Sequence, residues 1–595
     1  MANLITQLYS GSFKLLNRAV QWHQLPTWLG VLNIGALRSE LREKNLHSTS
    51  RGDRQDPLAP RGKAHLWART TDGSFNDLND PVMGSTHTRF GRNMPLKRSY
   101  PEDGTRLLEP NPRLISERLL SRGAEMKPAT SLNLLAAAWI QFMTHDWFSH
   151  GEPEEHSTID VPLPPGSKWH EDKMRVRRTA RDPKPSPSGP PTFRNEVSHW
   201  WDGSQLYGST ETKAQRVRSF QGGKLTVERD GFLPIDPKTG VEITGFAAGW
   251  WTGLSLLHNL FTREHNALCD MLAERYPDWD DARLFDTARL INVALMAKIH
   301  TVEWTPGILA NPALRIAMDA NWWGLAGETA KKLVGRVHPL DEISGIPGGE
   351  ADHHQAEYAM TEEFVSVYRL HPLLPDRIAF RTVKDGHVVL ERDMPSLTFK
   401  GARVDSDELG FADLLFSLGV ANPGRIELHN YPDWMRELRL PTGETLDLGS
   451  IDVLRDRERG VPRYNDFREL LSMPRARRFS DITSNEQWAR DLDEVYGDVD
   501  RVDLLVGMLA ETPPPGFGFS DTAFRVFILM ASRRLKSDRF FTRDYRAEVY
   551  TQEGLDWVAS NDMRTLLLRH CPELRSALRG VQNAFAPWNA PADDA

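Results

Sequence analysis

Apolar residues recur at helical spacing along most of this chain. A period near 3.6 residues runs through 130–148, 252–275, 282–303, 362–371, 411–418, 464–472, 485–494, 500–510, 520–536, 553–558 and 572–586. One apolar stripe at that period marks a helix with a face to bury. Two of the segments are apolar nearly all round, Leu132-Asn-Leu-Leu-Ala-Ala-Ala138 and Ala523-Phe-Arg-Val-Phe-Ile-Leu-Met530, and such helices belong inside a core. Strand signals are confined to 224–228 and to 378–391, where Asp385-Gly386 offers a hairpin turn. No internal repeat is present. The pattern predicts a mainly α fold with few short strands. In 362–371, Pro372 disfavours helical geometry at the residue before it, so this helix is expected to stop near His371. Phe364, Tyr368 and His371 then share one face.

Polar, turn-rich stretches divide the chain. Residues 46–60 read as a linker. The tract 151–194, with Pro-Leu-Pro-Pro-Gly and Pro-Lys-Pro-Ser-Pro-Ser-Gly-Pro-Pro, reads as a surface excursion. The expected organisation is an N-terminal helical segment and linker, 1–60, followed by a single large domain, 61–595. Within 4–45, Leu4, Ile5, Leu8, Leu15 and Leu16 form one apolar stripe and Trp28, Leu29 and Leu32 another, beside Lys14, Arg18, Arg38, Arg42 and Lys44. Such helices either lie on a membrane surface or pack on the main body, and packing is the commoner fate.

Composition narrows the class. Of 595 residues, 26% are charged and 40% hydrophobic, the balance of a soluble globular protein. The net charge of −8 carries no nucleic-acid footprint. Cys269 and Cys571 are the two cysteines, and neither sits in a Cys-x-x-Cys pair. That argues against a disulfide framework or a cysteine-ligated metal and favours a reducing compartment. No apolar run approaches the roughly 20 residues of a membrane span, and no secretory signal is evident at the start. The expectation is an intracellular protein, soluble or peripherally attached to a membrane.

Several constellations carry chemistry. Tyr368 and His371 are either core residues or an axial iron ligand with a redox-active tyrosine beside it. In Trp139-Ile-Gln141-Phe-Met-Thr-His145-Asp146-Trp147, Gln141 and His145 share a helix face, while Asp146 points about 100° away. One helix can therefore serve two sites. Ser198-His-Trp200-Trp-Asp202-Gly-Ser204 offers oxygens at alternate positions, including the Trp200 carbonyl, which suits calcium. An ordinary Ser/Asp turn reads the same way, unless a further carboxylate such as Asp146 joins it. In Lys298-Ile-His300-Thr-Val-Glu-Trp-Thr305-Pro306 a helix is expected to stop before the proline. Arg533-Arg534 ends an apolar helix, and a buried guanidinium calls for a carboxylate, either internal or from a ligand. Arg263-Glu264-His265-Asn266 reads as a buried structural network.

Taken together, these motifs resemble the haem peroxidase–cyclooxygenase superfamily, collinearly over most of 85–590. Gln141…His145-Asp146 is similar to its distal haem helix, Ser198 to Ser204 to its calcium loop, and Glu363 to Pro375 to its proximal helix. Arg263-Glu-His-Asn266 and the Tyr276-Pro-Asp-Trp stretch resemble the helices that flank the haem. Ile451-Asp452-Val-Leu-Arg resembles a further signature, with Asp452 where the peroxidases carry an Asn on the proximal imidazole. Within the superfamily the closest resemblance is to the fatty acid α-dioxygenases. It rests on His300 and Thr305, on Arg533-Arg534, and on the endings Tyr550-Thr-Gln-Glu-Gly and Ala584-Phe-Ala-Pro-Trp588. Two departures stand out. Ser198 replaces the usual Thr of the calcium loop, and 249–258 is too short for the distal Arg and the ester-forming Glu of the mammalian-type peroxidases.

The resemblance implies an all-helical haem peroxidase/cyclooxygenase-like catalytic domain. It implies haem b held non-covalently, with His371 as proximal ligand, Asp452 behind it, and His145 and Gln141 on the distal side. It implies one calcium ion on Asp146, Ser198, Trp200, Asp202 and Ser204. His300, Thr305 and Arg534, with Arg533 as the other candidate, would hold the substrate carboxylate. Tyr368 would carry a radical. The implied reaction adds O2 at the α carbon of a long-chain fatty acid, with hydrogen peroxide as activator, giving a 2-hydroperoxy acid. The alternative is mid-chain oxygenation of a polyunsaturated acid, or peroxidase chemistry. The expected state is a monomer without nucleic-acid partners, with peripheral contact to a membrane or lipid droplet left open.

Overall fold

The computed structural model describes residues 20–49, 62–184, 189–229, 231–404 and 406–591. The stripe Leu4–Leu16 and most of the 46–60 linker lie outside these. Of the nine helices that position the site, six start where a short polar side chain accepts from the first-turn amides. In chain order they are α1 (Thr27–Lys44), α2 (Leu134–Trp147), α3 (Thr252–Arg275), α4 (Asp281–Ile299), α5 (Pro312–Trp323), α6 (Glu362–Val367), α7 (Phe411–Val420), α8 (Leu448–Glu458) and α9 (Asp521–Ser537). Asn133 caps α2 through the Ala136 amide at 3.2 Å. Asp280, Thr361, Asp447 and Ser520 do the same for α4, α6, α8 and α9.

The core forms where α2, buried on nearly every face, is enclosed. α3 and α7 pack on it, α3 packs in turn on α4, and α6 packs on α9. α1 buries Ile34, Leu37 and Leu41 and lies against α5 and α9. Its Trp28, Leu29 and Leu32 stay exposed. Strands are short and peripheral: β1 (Thr158–Pro162) pairs antiparallel with β2 (Lys173–Arg177), and β3 (Arg377–Arg381) with β4 (Val388–Asp393). Gly386 turns the second hairpin at φ +75°, a conformation a side chain disfavours. No helix of the described residues is long and apolar enough to cross a membrane.

The structure departs from the sequence pattern in five places. First, 224–228 is not a strand; Leu225 makes one isolated bridge to Arg218. Second, the 151–194 tract contains the β1–β2 hairpin, which buries Ile159, Val161, Met174 and Val176 against Leu107 and Leu454. Its two five-residue alternations are too short to stand out among the prolines. Third, α6 stops at Val367 rather than near His371. Tyr368 leaves the helix at φ −95°, ψ 13°, and His371 opens a separate 3-10 turn with Pro372. Arg369 holds the break by donating to the Asp452 carbonyl at 2.7 Å and to the Asp456 carboxylate. Fourth, α4 does not stop before Pro306 but continues through a π turn, His300–Trp304, into a helical turn at Thr305–Ile308. Fifth, 572–586 holds only a 3-10 turn, Pro572–Arg575, whereas α5, α8 and a helix at Met563–His570 form outside the predicted segments. In α8 the buried face includes Asp452, Asp456, Arg457 and Glu458, which is why hydrophobic periodicity misses it.

The polar cluster on α3 is structural. Glu264 accepts from Trp557 at 2.8 Å and Arg569 at 2.6 Å and pairs with His570 at 2.7 Å. Burial acts to raise its pKa, but His570, Arg569 and Trp557 outweigh that and hold it below the usual range. A depressed folded pKa adds stability above the unfolded value of about 4.3 and loses it as pH falls through the folded value. The melting-temperature gap between wild type and Glu264→Gln should therefore narrow from pH 7 toward pH 3. A gap that stays constant across that range would contradict the assignment.

Candidate active site

His371 and Tyr368 sit on either side of the break after α6. His371 Nδ1 donates to Asp452 Oδ2 on α8 at 2.8 Å, and the Tyr431 hydroxyl donates to the same oxygen at 3.0 Å. The carboxylate fixes the imidazole's orientation and tautomer from behind. His371 Nε2 is left without a hydrogen bond among the described residues, and the side chain is 32% exposed. A histidine held at one nitrogen by a carboxylate and open at the other has the donor arrangement of an axial metal ligand, so this residue fits haem iron.

On α2, Gln141 accepts from Trp251 Nε1 at 2.8 Å and donates to the Gly249 carbonyl at 3.2 Å. His145 lies one turn further on, against Phe246, and its Nδ1 is buried without a partner. Burial lowers its pKa to about 4, so the ring is neutral near pH 7. Asp146 is fully buried on another face and accepts from the Ser204 amide at 2.5 Å. Burial first, then Asp202, pushes its pKa up to about 7 against the pull of Arg534.

The loop 198–204 therefore meets α2 at Asp146. The Ser198 hydroxyl donates to Asp202, and the Trp200 amide donates to the Ser198 oxygen at 3.1 Å. Asp202 also accepts from Arg69 at 3.0 Å, and Arg69 pairs with Asp538 at 2.9 Å. The Ser204 hydroxyl is buried without a partner. Two buried carboxylates, Asp146 and Asp202, beside an orphaned hydroxyl fit an oxygen-ligated cation. The set holds only two carboxylates; among the described residues no group of three or more His, Cys, Asp or Glu is placed to hold a metal.

A narrow cavity of about 10 Å³ links the remaining candidates. Tyr368, His300, Arg534, Trp147 and Trp201 all line it. The Tyr368 hydroxyl is buried without a hydrogen-bond partner, and burial holds the phenol well above its usual pKa. Phe364, one turn earlier, packs on its ring at 4.6 Å. His300 stacks on Trp304 at 4.9 Å and accepts from Trp139 Nε1 at 3.3 Å. Burial keeps the His300 ring neutral. Thr305 is buried, and its hydroxyl donates to the His300 carbonyl at 2.8 Å. It thus holds the π turn that carries His300 and is not on the cavity wall.

The two neighbouring arginines separate cleanly. Arg533 donates to the carbonyls of His353, Ala356, Glu357 and Ala359 at 2.9–3.4 Å. Its candidacy for a carboxylate gives way to a structural role, because four backbone acceptors occupy it. Arg534 is equally buried, but its Nε and Nη2 have no partner, and its guanidinium faces the rings of Trp147 and Trp201 at 4.0 Å each. Sequence reasoning did not single out Trp147, Trp201, Tyr431 or Arg69. Trp147 and Trp201 lie inside the recognised motifs, but nothing in their spacing distinguishes them from core tryptophans.

Comparison with known proteins places this geometry. Residues 68–585 match the family model described as animal haem peroxidase. The chain is 38% identical to alpha-dioxygenase 2 of Arabidopsis thaliana, covering 97% of this chain and 92% of that protein. Alpha-dioxygenase PIOX of Oryza sativa is 36% identical, with 96% and 93% covered. Among solved structures, the fatty acid alpha-dioxygenase of Arabidopsis thaliana superposes with a TM-score of 0.91 at 35% identity, covering 99% of this chain and 93% of that one. A Tyr-to-Phe variant of the Oryza sativa fatty acid alpha-dioxygenase, solved with palmitic acid, gives 0.90 at 34% identity, with 99% and 97% covered.

The contrast between the arginines is measurable without any ligand. Arg533→Met leaves four half-buried carbonyls without this donor and should lower stability by roughly 1–3 kcal/mol. Arg534→Met removes a charge that no carboxylate compensates and should cost less than about 1 kcal/mol. Urea unfolding of the two variants checks this, and equal losses would contradict it.

Proposed function

The chain belongs to the animal haem peroxidase family, among the fatty acid α-dioxygenases, and from that premise we propose the roles of its residues. The enzyme is an oxidoreductase that uses haem to add O2 at the carbon next to a fatty acid's carboxylate. His371, oriented by Asp452, would hold haem b non-covalently, and His145 and Gln141 on α2 would serve the reaction beside it. When bound, the haem supplies the one-electron oxidation that makes Tyr368 a radical, with hydrogen peroxide as activator. His145, a neutral base with an unpaired nitrogen, handles the proton of the peroxide.

The reading rests on one observation. Arg534, a buried cation whose Nε and Nη2 are left unpaired, and Tyr368, a buried phenol without a hydrogen-bond partner, share one cavity wall. A carboxylate on Arg534, beside His300, leaves the adjacent carbon as the part of a flexible chain that reaches Tyr368. Thr305 supports this from behind the His300 turn. A charge-assisted pair in a dry pocket contributes roughly 1.5–3 kcal/mol, and burial of the alkyl chain about 0.8 kcal/mol per CH2. The Tyr368 radical takes a hydrogen atom from C2, and O2 adds to the carbon radical. The resulting peroxyl takes a hydrogen atom back from Tyr368, which restores the radical. The product is a 2-hydroperoxy acid, which can lose CO2 to leave an aldehyde one carbon shorter. The absence of a hydrogen-bond partner on Tyr368 suits exchange of hydrogen atoms rather than protons.

Asp146, Asp202, Ser198, Ser204 and the Trp200 carbonyl hold one calcium ion in this reading, and the ion braces α2 against the loop 198–204. The described chain forms one catalytic domain, with 1–60 as its N-terminal segment, and acts as a monomer. The exposed Trp28, Leu29 and Leu32 on α1 suit peripheral contact with a membrane or lipid droplet that supplies the acid.

Incubation of the haem-loaded enzyme with palmitate and O2 should yield the 2-hydroperoxide or pentadecanal; no oxygen uptake with saturated acids of any length would defeat the proposal. Tyr368→Phe should abolish uptake and keep the Soret band. Arg534→Gln should raise the palmitate KM roughly tenfold to hundredfold with an unchanged Soret band. Calcium at a hundred times its Kd should add about 2.7 kcal/mol of stability, read as a chelator-induced drop in melting temperature. A drop of the same size in Asp146→Asn would reject this site.

A further inference from the structure

We propose that Trp147 and Trp201 are positioning residues for Arg534 and thereby decide which carbon of the bound acid is oxidised. The proposal rests on the reading of Arg534 as the carboxylate anchor. The two indoles stand 5.3 Å apart at 71° and form a corner. The guanidinium is seated in it, 4.0 Å from each ring centroid. All three side chains are buried, at 0%, 2% and 1% exposure. An arginine side chain is long and rotatable, and a fixed pose needs partners on its plane as well as its edge. The edge atoms Nε and Nη2 are unpaired. Tyr358 and Asp146 act on the charge, but the aromatic faces are what define the plane. They hold the fork open for a carboxylate.

The same indoles set the anchor's distance from the reacting tyrosine. Trp147 meets Tyr368 edge-on at 5.5 Å and 81°, and His300 at 5.1 Å and 86°. Trp201 meets His300 at 5.8 Å. One rigid ring, Trp147, therefore touches the anchor, the neutral histidine beside it and the phenol that takes the hydrogen atom. If the guanidinium swings by the length of one methylene, C3 rather than C2 stands opposite Tyr368. Trp201 touches the anchor, whereas the rings packed on Tyr368 among the described residues are those of Trp147, Phe364 and Phe527, so removing Trp201 loosens the anchor and leaves the phenol in place.

The test uses the full-length haem-loaded enzyme with palmitate and O2, and reads KM, kcat, the Soret band and the ratio of C2- to C3-oxidised product by mass spectrometry. Trp201→Leu should raise KM about tenfold, leave the Soret band unchanged and release C3-oxidised product. Trp201→Phe, which keeps a ring face, should restore both KM and C2 selectivity. Trp201→Leu with wild-type KM and C2 product alone would overturn the proposal. So would equal impairment of the Leu and Phe variants, since that would reflect lost packing volume. If Trp201→Leu yields no Soret band, Arg534→Lys decides, because it keeps the charge and loses the plane. C3 product from it supports the clamp, and C2 product alone at wild-type KM rejects it. A wild-type enzyme that takes up no oxygen with palmitate defeats the underlying reading instead.

Discussion

Arg534 carries a positive charge where water does not reach it, and no carboxylate neutralises it directly. Leaving a charge in that condition costs several kcal/mol unless something else favours it. Here two indole faces supply part of the compensation, and Asp146 acts through space. The remainder is a standing preference for an anion. The cavity walls suit that preference: His300 beside it is neutral, and the apolar lining of α6 and α9 would keep solvent from screening a bound anion. An anchor of this kind converts binding of a flexible chain into selection of one carbon.

The proximal side depends on the opposite arrangement, a charge that is fully matched. Asp452 gathers His371, Tyr431 and the Arg369 side chain around one carboxylate. Burial acts to raise its pKa, but His371 and Arg369 outweigh that and keep it ionised. This network also accounts for the shape of α6. Arg369 turns inward to α8, the helix ends at Val367, and His371 is freed to face away from Tyr368's side of the break. A continuous helix would have kept both residues on one stripe. The broken one sets His371 against Asp452 and leaves Tyr368 on the cavity wall.

Much of the site was legible because its parts lie close together in the chain. Gln141, His145 and Asp146 sit on one helical turn, and helix geometry alone separates their directions. The alternation of oxygens through 198–204 was visible for the same reason, and so was the Tyr368–His371 pair. Which arginine stands free was not legible. Arg533 and Arg534 are chemically identical neighbours, and only the carbonyls of 353–359, far away in sequence, occupy one and leave the other open. Thr305 read as a group facing the ligand and instead closes the π turn beneath His300. The Trp147–Trp201 corner joins two motifs that sequence places 54 positions apart, so no local pattern announces it.

By itself the order of residues determined the helical class, the candidates proposed as ligating, radical and anchoring side chains, and the faces on which neighbours along one helix point. Those features depend on backbone geometry within a few residues, which sequence spacing encodes directly. Tertiary structure decided where α6 ends, that 158–177 folds into a hairpin, that α8 buries charge, and that Arg534 rather than Arg533 is left waiting. Each of these depends on partners brought in from elsewhere in the chain, and a buried polar group's role is set by whichever partner arrives.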